Sequence, residues 1–515
     1  MALDKATIAK TYLNKRYLYI LSYVFFVSYL SINTGIYSDE FTIINNLKSI
    51  GSYRVFDSRP ILYITHLIPY YLALNSNFFI ISILKILYNL VSIYLVYKFF
   101  SLYLDKRNAI LTSFLFVFYL SHDSTAYVLL GHYLVLSIAF YLFSFYLAFF
   151  SRMFEAFLVA LIASFISYGS FPVAFSLSLL FVLNKEYKKG SIILIPNILY
   201  ILYFIIMTIL SSTNSSKFSE SLTLTIVIKQ FMLQIITFTE AMIGPSMWLK
   251  IYYSFSQLSI ISWFIGGFLI ILFYFTPSGE SNKPNSKLLI CFFVMTILSF
   301  IMFSFTGKYP QLTFNLGNRV TVYGSLLLAY LIVLMPLSKS MKTIVFAVMI
   351  FTILGISNHW KMWNAHQQVV ISNIKNNQAL KNYSDDRVIY VSGNQYSKYG
   401  KISHIEFLSE NWVVSSVFKL ALERDDISAI SINKRHKYID GSLIDAKYNV
   451  KTKIDDHINV YDSEKDKLFR LDVVEINSYI DSLPPDTRHW IQMLDRENFI
   501  KKIILYLMPR LEYAL

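Results

Sequence analysis

The sequence predicts a polytopic α-helical membrane protein with about eleven transmembrane helices and a C-terminal α/β or α+β domain. Three observations predict this fold class. Hydrophobic residues make up 55% of the 515-residue chain and charged residues only 15%, which is too little polar material for a soluble globule. Apolar runs recur before residue 358, and short loops carrying Lys and Arg separate them. After residue 358 no spanning run remains, and most of the acidic residues lie there.

The first helix sets the direction of all the others. Basic residues precede the apolar run 17–37, which is longer than the core of a secretory signal and lacks a small-residue cleavage site. We therefore expect a retained anchor that spans the membrane with the N-terminus in the cytoplasm. The next runs occupy residues 78–103, 109–120 and 128–150.

Two short helices follow on either side of a turn at 167–172, and further runs occupy 191–210, 258–275, 288–305, 320–337 and 343–356. Basic loops fall on alternate turns, as the positive-inside rule requires. The longer segment 211–254, with an amphipathic stretch at 222–247, is predicted to lie outside.

This alternation divides the chain into a transmembrane region, 1–358, and a periplasmic C-terminal domain, 359–515. Strand-like runs at 387–391 and 427–432 and a helical stretch at 405–422 predict the α/β or α+β fold. The tail 498–515 is amphipathic, typical of a helix that lies on a membrane or packs on the domain.

Several classes of function are excluded or disfavoured. The formal net charge is +14, but the basic residues before residue 358 lie mostly in loops between apolar runs rather than on one soluble surface. We therefore expect no nucleic-acid partner. The single cysteine, Cys291, excludes an intramolecular disulfide. Because glycine-rich nucleotide motifs, a Walker lysine motif and zinc-finger spacing are all missing from the sequence, we expect no nucleotide or other cofactor. No metal site is predicted, although a requirement for a divalent metal stays an open alternative.

The candidate functional residues are charged or titratable side chains near the predicted outer ends of helices. Ionisable groups at membrane depth are costly, which makes them functional candidates. They are Asp39 and Glu40 after the first helix, Arg59 in the same outer loop, His122 and Asp123 in the second loop, Glu240 in the fourth, and Lys308 and Arg319 in the fifth. For Asp39 and Glu40, a helix end capped by Ser38 or Asp39 is an equally good explanation.

The first helix ends in the sequence Tyr37-Ser38-Asp39-Glu40-Phe41, and a long outer loop follows it. With about eleven helices and an outer C-terminal domain, this pattern resembles the GT-C superfamily of membrane glycosyltransferases, which use polyprenyl-phosphate-linked sugars. Within that superfamily the chain is most similar to the serotype-converting O-antigen glucosyltransferases. It is less similar to the aminoarabinose and protein O-mannosyl transferases.

The resemblance implies an inverting transfer of a hexose, with glucose as the first candidate. The donor would be an undecaprenyl-phosphate-sugar, and the acceptor a lipopolysaccharide O-antigen or a similar surface glycan in the periplasm. A donor synthase and a flippase would act in the same pathway, and membrane lipids would surround the helices. A lipid-linked saccharide flippase or transporter, or an O-antigen polymerase, is the alternative function.

The resemblance also implies roles for the charged residues. It places the general base on Asp39, with Glu40 as its partner or as the alternative base. A leaving phosphate requires cations, and Arg319, Lys308 and Arg59 are the expected donor phosphate-binding residues. Interfacial side chains that reach toward the membrane surface are the competing explanation for Lys308 and Arg319. Asp123, His122 and Glu240 are the expected acceptor site or second acidic site. For His122 and Asp123, a polar turn that caps a helix is the competing explanation.

Overall fold

The computed structural model describes residues 21–47, 60–74, 79–210, 223–275, 284–307, 309–385, 387–448, 450–495 and 497–507. The described residues are mostly helical, and the strands all lie in the C-terminal part of the chain. Lys308 and Arg59 fall outside these residues, as do parts of the predicted first helix and of the tail.

The N-terminal part of the chain forms a helical bundle. Its helices are α1 (Leu21–Ser31), α2 (Asp39–Asn46), α3 (Ile68–Leu74), α4 (Phe79–Phe100), α5 (Lys106–Val117), α6 (Ser124–Tyr127), α7 (His132–Phe149), α8 (Met153–Ile166), α9 (Phe171–Leu183), α10 (Tyr187–Leu210), α11 (Leu224–Ile243), α12 (Pro245–Phe255), α13 (Ile260–Phe275), α14 (Ser286–Ser304), α15 (Val322–Leu334) and α16 (Lys339–Asn376). Short helical turns at Tyr63–Leu67, Leu120–His122, Leu129–Gly131 and Leu316–Thr321 connect some of them.

Seven described helical segments are long and apolar enough to cross a membrane, which confirms a helical protein of membrane type. They are Phe79–Phe100, Leu129–Phe149, Tyr187–Leu210, Leu224–Phe255, Ser286–Ser304, Leu316–Leu334 and Lys339–Asn376. Shorter apolar helices, among them α1, α8, α9 and α13, coincide with other predicted spans. The number of about eleven spans stays a prediction.

The segment predicted as an outer amphipathic stretch contains α11 and α12. Together they satisfy the length and hydropathy of a span, but Gly244 and Pro245 divide them into two helices. Polar side chains of α11 bond to the loop after α14: the Gln234 side chain donates to the Tyr309 carbonyl (3.0 Å), and Thr237 accepts from the Gln311 amide (3.2 Å). The second half of α11 therefore lies along this loop.

Helix α16 crosses the boundary that the composition predicts. The expected eleventh span covers residues 343–356, whereas α16 begins at Lys339, where Ser338 caps it, and continues to Asn376. Gly355 lies against the backbone of Ser254 in α12, a closeness that a Cβ would prevent. The change in composition at residue 358 thus occurs within one continuous helix.

The C-terminal part adds helices and three small sheets. The helices are α17 (Gln378–Lys381), α18 (Asn411–Leu422), α19 (Ile476–Ser482) and α20 (Phe499–Leu507), with a helical turn at Trp490–Met493. The strands are β1 (Ile389–Ser392), β2 (Tyr396–Tyr399), β3 (Ile402–Glu406), β4 (Ala429–Ser431), β5 (His436–Ile439), β6 (Ser442–Asp445), β7 (Val450–Lys453), β8 (His457–Asp462) and β9 (Lys467–Asp472).

The main sheet has the order β4-β1-β8-β9, in which β1 runs parallel to β4 and β8, and β9 is antiparallel to β8. β2 pairs with β3, and β5, β6 and β7 form an antiparallel meander. The predicted strands at 387–391 and 427–432 correspond to β1 and β4. The helix predicted over 405–422 is wrong for residues 405–410, because Ile405 and Glu406 belong to β3 and the helix begins at Asn411.

One hydrophobic core continues from the bundle into the C-terminal part. Side chains alternate along β1, so Ile389 and Val391 join the core shared with the bundle while Tyr390 packs into a smaller cluster on the other face. Helix α18 packs on α2, and the rings of Phe41 and Phe407 meet at 5.8 Å. The C-terminal part is therefore seated on one end of the bundle, where α2 begins.

Candidate active site

The acidic pair begins α2, and its first carboxylate is open. Ser38 occupies the N-cap position with φ 48°, in the left-handed region, and its side chain makes no capping hydrogen bond. Asp39 is exposed, and its Oδ1 accepts a hydrogen bond from Trp412 Nε1 at 2.9 Å. Because a carboxylate has about four acceptor positions, Asp39 retains room for a further donor.

The second carboxylate of the pair is closed. Glu40 has no exposed surface, and its oxygens accept from the Tyr37 amide (2.7 Å), the Leu130 amide (3.1 Å) and the Tyr70 hydroxyl (2.5 Å). Burial raises the pKa of Glu40 above its ordinary value, although Lys85 and these hydrogen bonds oppose the rise. Glu40 thus fastens α2 to its neighbours, and its position does not favour the expected role as an alternative base.

Arg319 lies in the helical turn Leu316–Thr321 that leads into α15, and it is partly exposed. Its guanidinium interacts electrostatically with the Asp39 carboxylate and with the side chains of Tyr133, Tyr168 and Tyr309. These tyrosines come from the start of α7, from the turn between α8 and α9, and from the loop after α14. Arg319 and Asp39, two predicted site residues from distant parts of the chain, therefore interact electrostatically.

The other two predicted phosphate-binding residues, Lys308 and Arg59, lie outside the described residues. No protein-family model, curated protein or solved structure matches this chain. The chemistry of the site must therefore be inferred from its own geometry. In the described part of the chain, no group of three or more His, Cys, Asp or Glu is arranged to hold a metal ion.

Asp123, the second predicted acidic site, is buried and receives four donors. Oδ1 accepts from Lys250 Nζ (2.7 Å) and Asn318 Nδ2 (2.5 Å), and Oδ2 accepts from Trp360 Nε1 (2.8 Å) and His404 Nε2 (2.9 Å). These partners come from α12, the Leu316–Thr321 turn, α16 and β3. Asp123 therefore joins four elements and has no position left for a substrate.

The charge state at Asp123 follows from its partners. His404 Nδ1 accepts from the Asn315 amide (3.1 Å), so the ring proton is on Nε2 and His404 donates as a neutral imidazole. Burial raises the pKa of Asp123, but Lys250 and His404 lower it more strongly, so it lies well below its ordinary value. The ion pair of Asp123 and Lys250 is consequently a permanent feature of the folded chain near neutral pH.

His122 is also buried, beside this ion pair. The Thr125 hydroxyl donates to the His122 carbonyl (2.8 Å), so its oxygen accepts from His122 Nδ1 (2.8 Å). Burial lowers the pKa of His122 to about 4. Among the described residues Nε2 has no partner, yet the ring packs against Tyr119 and Phe116 and has no exposed surface. His122 is therefore a neutral packing residue in this structure.

Glu240 lies near the corner between α11 and α12. Its Oε1 accepts from the Ser246 amide (3.0 Å) and Trp490 Nε1 (2.8 Å), and its Oε2 lies 3.3 Å from His489 Nε2. His489 and Trp490 belong to the C-terminal part, so Glu240 anchors that part to the bundle. The structure thus separates the predicted residues into an open pair, Asp39 and Arg319, and bonded carboxylates that hold elements together.

Sequence reasoning missed the contribution of the C-terminal part. Glu406, at the end of β3, acts electrostatically on Asp39, and burial and the Glu410 carboxylate raise the pKa of Glu406 to about 7. Trp412, at the start of α18, bonds to Asp39 directly. Acidic and aromatic residues are dense in the stretch 404–412, which was an available signal, but nothing in their spacing connects them with residue 39.

Proposed function

We propose that this chain is a GT-C-type inverting glycosyltransferase. It transfers a hexose, with glucose as the first candidate, from undecaprenyl-phosphate-sugar to a lipopolysaccharide O-antigen or similar surface glycan. The proposal places the reaction on the periplasmic face of the bacterial inner membrane, with the N-terminus in the cytoplasm. Its main support is one observation: the open carboxylate of Asp39 lies within electrostatic range of Arg319, where the bundle meets the C-terminal part.

In the proposed reaction, Asp39 accepts the proton of an acceptor hydroxyl while that oxygen forms a bond to the anomeric carbon of the donor sugar. The bond between this carbon and the donor phosphate oxygen breaks, and its electron pair stays on undecaprenyl phosphate. The guanidinium of Arg319 compensates the charge that develops on the phosphate. Attack from the face opposite to the phosphate inverts the anomeric configuration.

The surroundings of the two residues suit these roles. A base must be reachable by the acceptor, and Asp39 is exposed with a single described donor, Trp412 Nε1. A side chain that binds phosphate must not already be paired with a carboxylate of the protein. Within the described part of the chain, Arg319 forms no salt bridge. The Arg319 guanidinium also interacts electrostatically with Tyr133, Tyr168 and Tyr309.

The test is Asp39→Asn in the full-length protein, reconstituted in vesicles with undecaprenyl-phosphate-glucose and a lipopolysaccharide acceptor. Because a positioned base contributes about 10²- to 10⁴-fold, we expect a loss of transfer of that size. Glu155→Gln is the matched control. Glu155 is an exposed carboxylate on α8, away from Asp39 in the sequence, and forms a salt bridge with Arg152 (3.0 Å). Transfer by Asp39→Asn at the wild-type rate would refute the assignment.

The same vesicles separate the alternative functions. A flippase or transporter would move the lipid-linked saccharide across the bilayer and leave its sugar–phosphate bond intact. A polymerase would lengthen the glycan by whole repeat units instead of adding one hexose. The mass of the glycan product therefore distinguishes all three activities.

A further inference from the structure

Two exposed aromatic side chains lie beside Asp39 on the C-terminal part. Trp412 is 41% exposed and Tyr448 is 40% exposed. Their ring centroids are 5.8 Å apart and the rings meet edge to face at 66°. We call this pair the aromatic platform. Trp412 donates to the Asp39 carboxylate through Nε1, so the aromatic platform adjoins the proposed base directly.

Polar bonds hold the aromatic platform in place, and two cations lie over the Tyr448 ring, with Lys447 Nζ 4.9 Å and the Arg435 guanidinium carbon 5.6 Å from the ring centroid. The Tyr448 hydroxyl donates to Glu410 Oε2 at 2.7 Å, and Glu410 itself is buried. Helix α18 is fixed to α2 because Ser416 Oγ donates to Thr42 Oγ1 (3.3 Å). An exposed aromatic pair whose polar atoms are all bonded inward is a preformed surface, and binding to it costs little ordering entropy.

We propose that the aromatic platform binds a sugar residue of the acceptor glycan, which deepens the proposed function and rests on it. Aromatic rings present a broad apolar face with fixed geometry, and the C–H face of a hexose ring is complementary to such a face. A sugar stacked on the face of Trp412 would have its hydroxyl groups at the rim of the sugar ring, close to the edge of the indole. Since the indole N–H at that edge is bonded to Asp39, the acceptor hydroxyl would come within reach of the base.

The charges around the aromatic platform favour an uncharged sugar. Lys447 Nζ pairs with Glu410 (2.5 Å), and Arg435 pairs with both Glu410 (3.4 Å) and Asp445 (3.2 Å). Both cations next to Tyr448 are thus matched by carboxylates in the described structure. A glycan carrying carboxylates or phosphates would find no unpaired cation from these two side chains, whereas a neutral hexose loses nothing.

The test compares alanine variants with ring-preserving variants in the full-length protein. Trp412→Ala and Tyr448→Ala should each raise the acceptor KM about tenfold, with the donor KM unchanged, because the stacking surface is lost. Trp412→Phe removes the bond to Asp39, and Tyr448→Phe removes the bond to Glu410, but both keep a ring. We expect the acceptor KM of both phenylalanine variants to stay within about twofold of wild type. Tyr506→Ala, at a tyrosine that is 86% exposed on α20, is the matched control.

Binding measured without turnover separates this proposal from the transferase assignment. The probe is delipidated O-antigen polysaccharide, and its binding to each purified variant is measured by saturation-transfer NMR. Each variant is first shown to unfold thermally as wild type does. Binding lost in both alanine variants supports the aromatic platform, even if the wild-type protein transfers no sugar. The proposal is overturned by any of three results: no polysaccharide binding by wild type, unchanged binding in the alanine variants, or equal acceptor KM values for Trp412→Phe and Trp412→Ala.

Discussion

Asp39 and Asp123 lie at the same end of the bundle, but their surroundings differ in every respect that matters for chemistry. Asp123 is buried, receives four donors and pairs with Lys250 at 2.7 Å. Asp39 is exposed, has one described donor and interacts with Arg319 only electrostatically. A carboxylate with every acceptor position filled stabilises the fold, whereas one with open positions can act on a ligand. From this difference we expect Asp123 to stabilise the fold and Asp39 to act on a ligand. Substitutions at the two residues test this expectation.

The largest expected effect is on stability, at Asp123. Asp123→Ala leaves the Lys250 ammonium buried without its partner, so we expect a loss of about 3–5 kcal/mol in the free energy of unfolding. Asp39→Ala removes one exposed hydrogen bond and should change stability by less than about 1 kcal/mol. Thermal unfolding of both variants in the same detergent measures the difference.

Adding Lys250→Met to Asp123→Ala provides the control for this prediction. The double variant removes the unpaired charge as well as the carboxylate, so part of the lost stability should return. Equal stability of Asp123→Ala and Asp39→Ala would show that the difference in burial and bonding has no energetic consequence.

The next effect is on catalysis, at Arg319. Arg319→Gln removes the cation that would face the leaving phosphate, and we expect kcat to fall about 10²- to 10³-fold, the size found when one stabilising donor is removed. Arg319→Lys should recover part of the rate, because it restores the charge but not the two-pronged donor geometry. Arg152→Gln, at an exposed salt bridge, is the control. Sugar transfer in vesicles measures all three, and a normal rate for Arg319→Gln would remove this residue from the site.

The sequence predicted part of this arrangement and missed the rest for physical reasons. Hydropathy and charge identified the helical membrane-type bundle, because spanning helices need long apolar runs. Asp39 and Arg319 were selected as candidates for their chemistry, and their catalytic roles stay a prediction. The different fates of Asp39 and Glu40 could not be predicted, because adjacent helical residues point in directions about 100° apart and only tertiary packing decides which is buried. The partners of Asp123 come from four distant elements, and no local spacing encodes such a set.

The C-terminal part was predicted least well. Composition changes at residue 358, yet α16 continues to Asn376, because Gln367, Val370 and Ile374, three and four residues apart, keep one buried face on the helix. The position of Trp412 beside Asp39 depends on the packing of α18 on α2, which is a tertiary contact between distant parts of the chain. The sequence of the outer loops alone therefore points to Asp39 but not to the surface next to it.

An intermediate effect is expected at Glu40. Glu40→Gln places an amide N–H₂ group among donors that need acceptors and removes the negative charge near Lys85, so stability should fall by about 1–3 kcal/mol. The kcat of the folded fraction should stay close to wild type, because Glu40 has no exposed surface. Unfolding and transfer measured on the same preparation test this. Loss of kcat with unchanged stability would instead make Glu40 part of the catalytic machinery and reverse the distinction drawn within the acidic pair.

The smallest expected effect is a pH dependence at Glu406. Burial and the Glu410 carboxylate raise the pKa of Glu406 to about 7, above the value it has in the unfolded chain. The folded state therefore binds more protons than the unfolded state between these values, and the contribution of Glu406 to stability is lost as pH rises from about 4.5 to about 7.

Glu406→Gln should flatten this decline by on the order of 1 kcal/mol, since a neutral amide cannot titrate. Chemical unfolding at several pH values measures the slope, with the exposed Glu464→Gln as the control. Identical slopes for wild type and Glu406→Gln would show that folding does not shift the pKa of Glu406, so that Glu406 is ionised in the folded state near neutral pH. A second negative charge would then lie near Asp39, and a positive acceptor group would be favoured over the neutral hexose inferred above.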